Sequence, residues 1–95
     1  MLTYLKEHIV EEITGALDYM AKAVEHKNTH CGEIFYQMAM MELEHANALT
    51  KMFNKEEKTE SMTDAEYATL HKVIMDTYVS GMNKLEGMKK LYWAV

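Results

Sequence analysis

Apolar residues recur along this chain at alternating steps of three and four, the period of helices that bury one face. In the first segment Leu5, Ile9, Ala16 and Ala23 keep that rhythm, with Ile13, Met20 and Val24 alongside, which predicts a helix over about 3–27. The rhythm closes only if positions 12 and 19 belong to the stripe, and these are Glu12 and Tyr19. A second helix, over about 31–53, carries Phe35, Met38, Leu49 and Met52 on its seam, again with two gaps, filled by Glu42 and His45. A third, over about 64–93, has the stripe Tyr67, Leu70, Ile74, Tyr78, Gly81, Leu85, Met88 and Tyr92, with no carboxylate at a central position. Thr63-x-x-Glu66 is the sequence of a capping box and marks its start. Gly81 and Gly87 each cost about 1 kcal/mol relative to Ala in a helix interior, so a bend or an early end is one outcome there. The polar stretch from Asn54 to Thr63 reads as a loop.

Asn28, Thr29 and His30 leave room only for a tight connection, so the first two helices are antiparallel neighbours. Glu12 lies 17 residues before Thr29, while Glu42 and His45 lie 13 and 16 after it. At 1.5 Å per residue all three reach nearly one height, roughly 20–25 Å from the turn.

Composition supports an all-α fold: there is no Pro, only 4 Gly, and Ala, Leu, Met, Glu and Lys abound. The 95 residues make one domain, short of the four long helices of a complete bundle. All 10 basic residues are Lys against 15 acidic ones, and the net charge of -5 repels a phosphate backbone, so nucleic acid is not an expected partner. Cys31 is alone, which rules out an intrachain disulfide and fits a reducing, cytoplasmic location. No window approaches the roughly 20 apolar residues that span a bilayer, nor is there a signal-peptide block, so a soluble protein without a membrane partner is expected.

A glutamate inside an apolar stripe must be neutralised or compensated by a cation. Glu and His at i and i+3 share one helix face, and carboxylate oxygen with imidazole nitrogen suits iron, manganese or zinc. Di-iron helical bundles take one Glu from each of two helices and a Glu-x-x-His from each of two others. Glu12 with Glu42-x-x-His45 is half of that set. On the third helix Glu86 is followed at the +3 position by Lys89 and Glu66 by Thr69, so one chain cannot close the site. Two copies about a two-fold axis would supply every ligand, which predicts a homodimer or a higher homo-oligomer.

Glu12, Tyr19, the run Phe35-Tyr36-Gln37-Met38-Ala39 and Glu42-Leu43-Glu44-His45-Ala46 together resemble the first half of a rubrerythrin-type ferritin-like domain, over about residues 3–53. With the second half missing, the chain is most similar to the encapsulated ferritins. The resemblance implies an antiparallel helical hairpin, half of a ferritin-like four-helix bundle, completed by dimerisation; the third C-terminal helix, read from its own stripe and capping box, is longer than that group leads one to expect. It also implies a ferroxidase whose di-iron centre is shared by two subunits, with Glu12, Glu42 and His45 as iron ligands and Tyr19 beside them. An encapsulin shell, a protein nanocompartment, becomes a candidate partner and location, although the ending Met88 to Val95 does not resemble the peptide that docks such proteins.

Glu42-x-x-His45 alone arises often by chance on helix surfaces; its weight comes from Glu12 at the same level. Tyr19 is either a core tyrosine or a partner of the ligands. Glu11, Glu44 and His8 are expected to solvate their helices. His26, His30 and Cys31 cluster at the turn without a zinc-type spacing. His71 is expected as a hydrogen-bonded core histidine, and the 10 Met as flexible core filler. Two other functions fit the sequence: a rubrerythrin-like peroxidase, and a non-catalytic helical module working through Tyr67 to Trp93.

Overall fold

The computed structural model describes residues 1–59 and 61–95. Helix α1 spans Leu2–Glu25, α2 spans His30–Lys55 and α3 spans Asp64–Trp93; no strand occurs among the described residues. The α2 helix continues through Asn54 and Lys55, so the loop begins at Glu56 rather than Asn54; Glu60, within it, lies outside the described residues. No helix among the described residues is long and apolar enough to cross a membrane.

Antiparallel pairing of α1 and α2 is set by the turn. Asn28 adopts a φ of 67°, the left-handed region that asparagine tolerates better than most residues. Thr29 then caps α2, its side chain accepting from the Gly32 backbone N–H at 3.0 Å. The capping box of α3 is present in full: Glu66 N–H donates to the Thr63 hydroxyl at 3.1 Å, and Thr63 N–H to the Glu66 carboxylate at 3.0 Å.

Leu5, Ile9, Ile13, Ala16, Met20 and Ala23 of α1 are all buried, as their spacing predicts, and Leu2 joins them. On α2 the buried line differs from the expected seam. It is Gly32, Ala39, Ala46, Thr50 and Phe53 that face the core. Phe35, Met38 and Leu49 are only half-buried, and Met52 is 51% exposed. Small alanines let the two helices approach closely, and that rotation carries the larger apolar side chains to the flank of the hairpin.

The α3 helix runs parallel to α1. Ile74 packs with Leu5, Ile9 and Phe53, and Leu85 packs with Met20, Ala23 and Ala39 at the other end. Lys27 Nζ donates to the carbonyls of Leu91 (3.2 Å) and Ala94 (2.9 Å), satisfying the end of α3. The result is a rod of 51 × 18 × 15 Å. The glycines neither end nor interrupt α3. Gly81 is buried, and a Cβ there would stand 2.5 Å from Ile13 Cγ2, so the approach of α3 to α1 at that level depends on the missing side chain. His71 departs from expectation: its ring lies 4.6 Å from Phe53 and 4.5 Å from Tyr67, yet its Nε2 is buried without a hydrogen-bond partner.

Gly81→Ala therefore sets an overpacking cost of about 1–3 kcal/mol against a helix-propensity gain of about 1 kcal/mol. The expected outcome is a net loss of up to about 2 kcal/mol, read as a lowered urea midpoint at unchanged slope. A raised midpoint would show that α3 can move off Ile13 freely.

Candidate metal centre

Close packing along Ala39 and Ala46 fixes where the polar residues between them project. Glu42 leaves α2 one turn after Ala39, at the edge of the contact with α1, and His45 follows one turn later. Glu12 leaves α1 at the same level. One ligand atom from each of Glu12, Glu42 and His45 lies within 4.8 Å of the others. His45 Nδ1 is 3.5 Å from Glu12 Oε2; the Glu12 side chain is 22% exposed and the His45 ring 56%. The helix arithmetic thus brings together the three residues it singled out.

Two features of the trio are electrostatic. Glu12 Oε2 is buried but accepts no hydrogen bond, since His45 is too distant for one. Glu42 has its carboxyl pKa raised from the ordinary 4.5, first because the adjacent Glu12 carboxylate favours its protonated form as a hydrogen-bond donor, then through burial and the Glu12 charge; His45 pulls the other way. Two carboxylates set side by side offer their lone pairs to a cation, which would relieve both the orphaned oxygen and the repulsion. Ligands on opposite sides of one ion stand about 4.2 Å apart, twice a bond of about 2.1 Å, so small rotations of an exposed imidazole and two glutamate arms suffice to bind it. Two oxygens and one imidazole nitrogen fit iron, manganese or zinc. Three donors also leave its coordination open.

The trio sits on the flank away from α3. Asn47, which accepts from the Tyr78 hydroxyl of α3, is five residues past Glu42. That step is about 140° around the helix. Tyr36 likewise turns to α3, stacking on Tyr92 at 4.6 Å.

Other candidates fall outside the cluster. Tyr19 is half-buried and stacks on Phe35 at 6.3 Å, and its hydroxyl makes no hydrogen bond to Glu12, Glu42 or His45. His8 stacks on Tyr4 at 4.1 Å with Nδ1 3.6 Å from Glu11. Glu11 and Glu44 are exposed. His26, His30 and Cys31 are exposed and form no metal-binding group among the described residues. Gly15, which sequence reasoning passed over, faces Glu42: a Cβ there would lie 3.1 Å from Glu42 Oε2. Its signal was available, a lone glycine inside α1 one turn after Glu12.

Residues 4–91 match the family model described as Rubrerythrin. No curated protein and no solved structure matches the chain.

A raised Glu42 pKa means that the folded state holds a proton which the unfolded chain releases near pH 4.5. That contribution is full below pH 4.5 and is lost as pH rises through the raised value. Metal-free Glu42→Gln, which cannot ionise, is expected to be more stable than the unaltered protein at pH 7, by under about 1 kcal/mol because the pair is open to water. Thermal unfolding in chelator from pH 4 to 8 measures the difference, which should vanish at the acid end.

Proposed function

Because the chain belongs to the rubrerythrin family, we propose that it binds iron through Glu12, Glu42 and His45, half of a di-iron ferroxidase centre that a second copy completes. The observation that carries this reading is the open half-site itself. The trio shares its side of α2 with the half-buried Phe35, Met38 and Leu49, with Met41 (56% exposed) and Met52 (51%) at the margin, an apolar flank that stays partly open to solvent. A two-fold axis through that flank would bury the stripe and bring in the second Glu12, Glu42 and His45, matching the ligand count of di-iron bundles.

Fe(II) is the substrate and O2 or peroxide the oxidant; two ferrous ions side by side can each give up one electron. The chain's own groups have simpler tasks. Glu12 and Glu42 balance the charge, and His45 supplies a neutral donor that leaves net charge for the carboxylates to set. Half-burial on the apolar flank becomes exclusion of bulk water once a second copy covers it. Product Fe(III) would serve storage or detoxification. A rod of 51 × 18 × 15 Å has no interior for a mineral, so storage requires a shell of further copies or of another protein, such as an encapsulin.

Family membership equally accommodates a peroxidase. A rubredoxin-type donor needs four cysteines and these 95 residues hold 1, so they cannot build that donor themselves. Rapid peroxide consumption with an added reductant, without accumulation of Fe(III), would favour that alternative.

Anaerobic Fe(II) loading followed by iron counting and sedimentation tests the proposal. One iron per chain in a dimer or larger assembly is expected, with Glu42→Ala/His45→Ala losing at least about 100-fold in affinity and dissociating more readily. An unaltered protein that takes up no iron, or takes it up as a monomer, would sink the shared centre.

A further inference from the structure

Gly15 is the sole glycine of α1, a helix of 24 residues, and no turn or positive φ at that position calls for one. Glycine is among the residues least suited to a helix interior. What the position does have is a neighbour on α2. A Cβ built there would lie 3.1 Å from Glu42 Oε2, 3.4 Å from its Cδ and 3.6 Å from its Cγ. Three consecutive atoms of the glutamate arm therefore run past the bare α1 backbone. Gly87, by contrast, would meet nothing within 4 Å.

We propose that Gly15 is a positioning residue for the metal centre: the missing side chain leaves a slot on α1 in which the Glu42 carboxylate lies, level with Glu12 and His45. This rests on reading the trio as metal ligands. A methyl at 3.1 Å is tighter than ordinary packing, so something must give by a few tenths of an ångström. The contact is with the far end of a flexible arm rather than with backbone, so the helices stay and the carboxylate moves. Stability and metal binding should then respond in opposite directions, because alanine favours the helix while displacing the ligand.

The test compares Gly15→Ala with Gly87→Ala, two exchanges of the same kind, using metal-free thermal unfolding and Co(II) titration followed by visible absorption. Expected are an unchanged or raised Tm for both variants. Gly15→Ala alone should show about 10–100-fold weaker Co(II) binding and an altered ligand-field spectrum. If the unaltered protein gives no Co(II) spectrum, the metal-centre reading fails and this inference with it. If it binds Co(II) and Gly15→Ala matches it in affinity and spectrum, the inference alone is overturned. A Gly15→Ala protein that unfolds earlier or fails to fold overturns it too, since the glycine would then serve backbone packing rather than the carboxylate.

Discussion

Everything at the candidate centre depends on two carboxylates being pressed together at the edge of the α1–α2 contact. When both are ionised, Glu12 and Glu42 repel each other; the metal-free arrangement leaves one oxygen of Glu12 unpartnered and raises the Glu42 pKa above its ordinary value. They stay because the core outweighs them. Burying Leu5, Ile9, Met20 or Phe53 contributes roughly 1.5–3 kcal/mol each, whereas repulsion in a solvent-open carboxylate pair is worth under about 1 kcal/mol. The helices are positioned by Ala39, Ala46 and their apolar partners, and the polar residues go where that packing carries them.

The third helix fits the same logic. A hairpin of this size buries too little surface to be secure alone, and α3 adds Ile74 and Leu85 to the two clusters. It reaches α1 through the bare surface of Gly81 and is anchored at its end by Lys27. It also turns Tyr78 and Tyr92 toward the side of α2 that carries Asn47 and Tyr36. One flank of the hairpin is thereby closed and the other, with Glu12, Glu42 and His45, stays open.

The trio is legible in the sequence because the helix rise is regular: equal distances from a tight turn place residues of antiparallel helices side by side. The capping box of α3 is legible for a similar reason, since its hydrogen bonds are local. The rotation of α2 is not. A stripe of Phe35, Met38, Leu49 and Met52 looks more like a core than one of Ala39, Ala46 and Thr50, yet close helix approach selects small residues, and hydrophobicity alone does not record that preference. Tyr19 meets the right period but belongs to a stack with Phe35, because a shared face does not settle where a long side chain ends. A polar partner is the ordinary expectation for His71, but its neighbours Phe53 and Tyr67 present aromatic rings to it. Gly15 and Gly81 both signal weak helix; their meaning lies in what stands opposite, which only the packing of the helices reveals.

On the proposed reading, assembly and metal occupancy are one equilibrium. Bringing two copies together without a cation would converge four glutamates on a surface that already fails to satisfy one oxygen per chain, opposing the gain from covering Phe35, Met38, Leu49 and Met52. A cation that binds only the assembled form shifts that balance by mass action, by about 2.7 kcal/mol when its concentration is 100 times its dissociation constant. Such a shift exceeds the carboxylate repulsion of each half-site, under about 1 kcal/mol, so bound metal adds to the apolar stripe in favouring the pair. On that reading, an apolar flank edged with acid would be an interface whose closure metal favours.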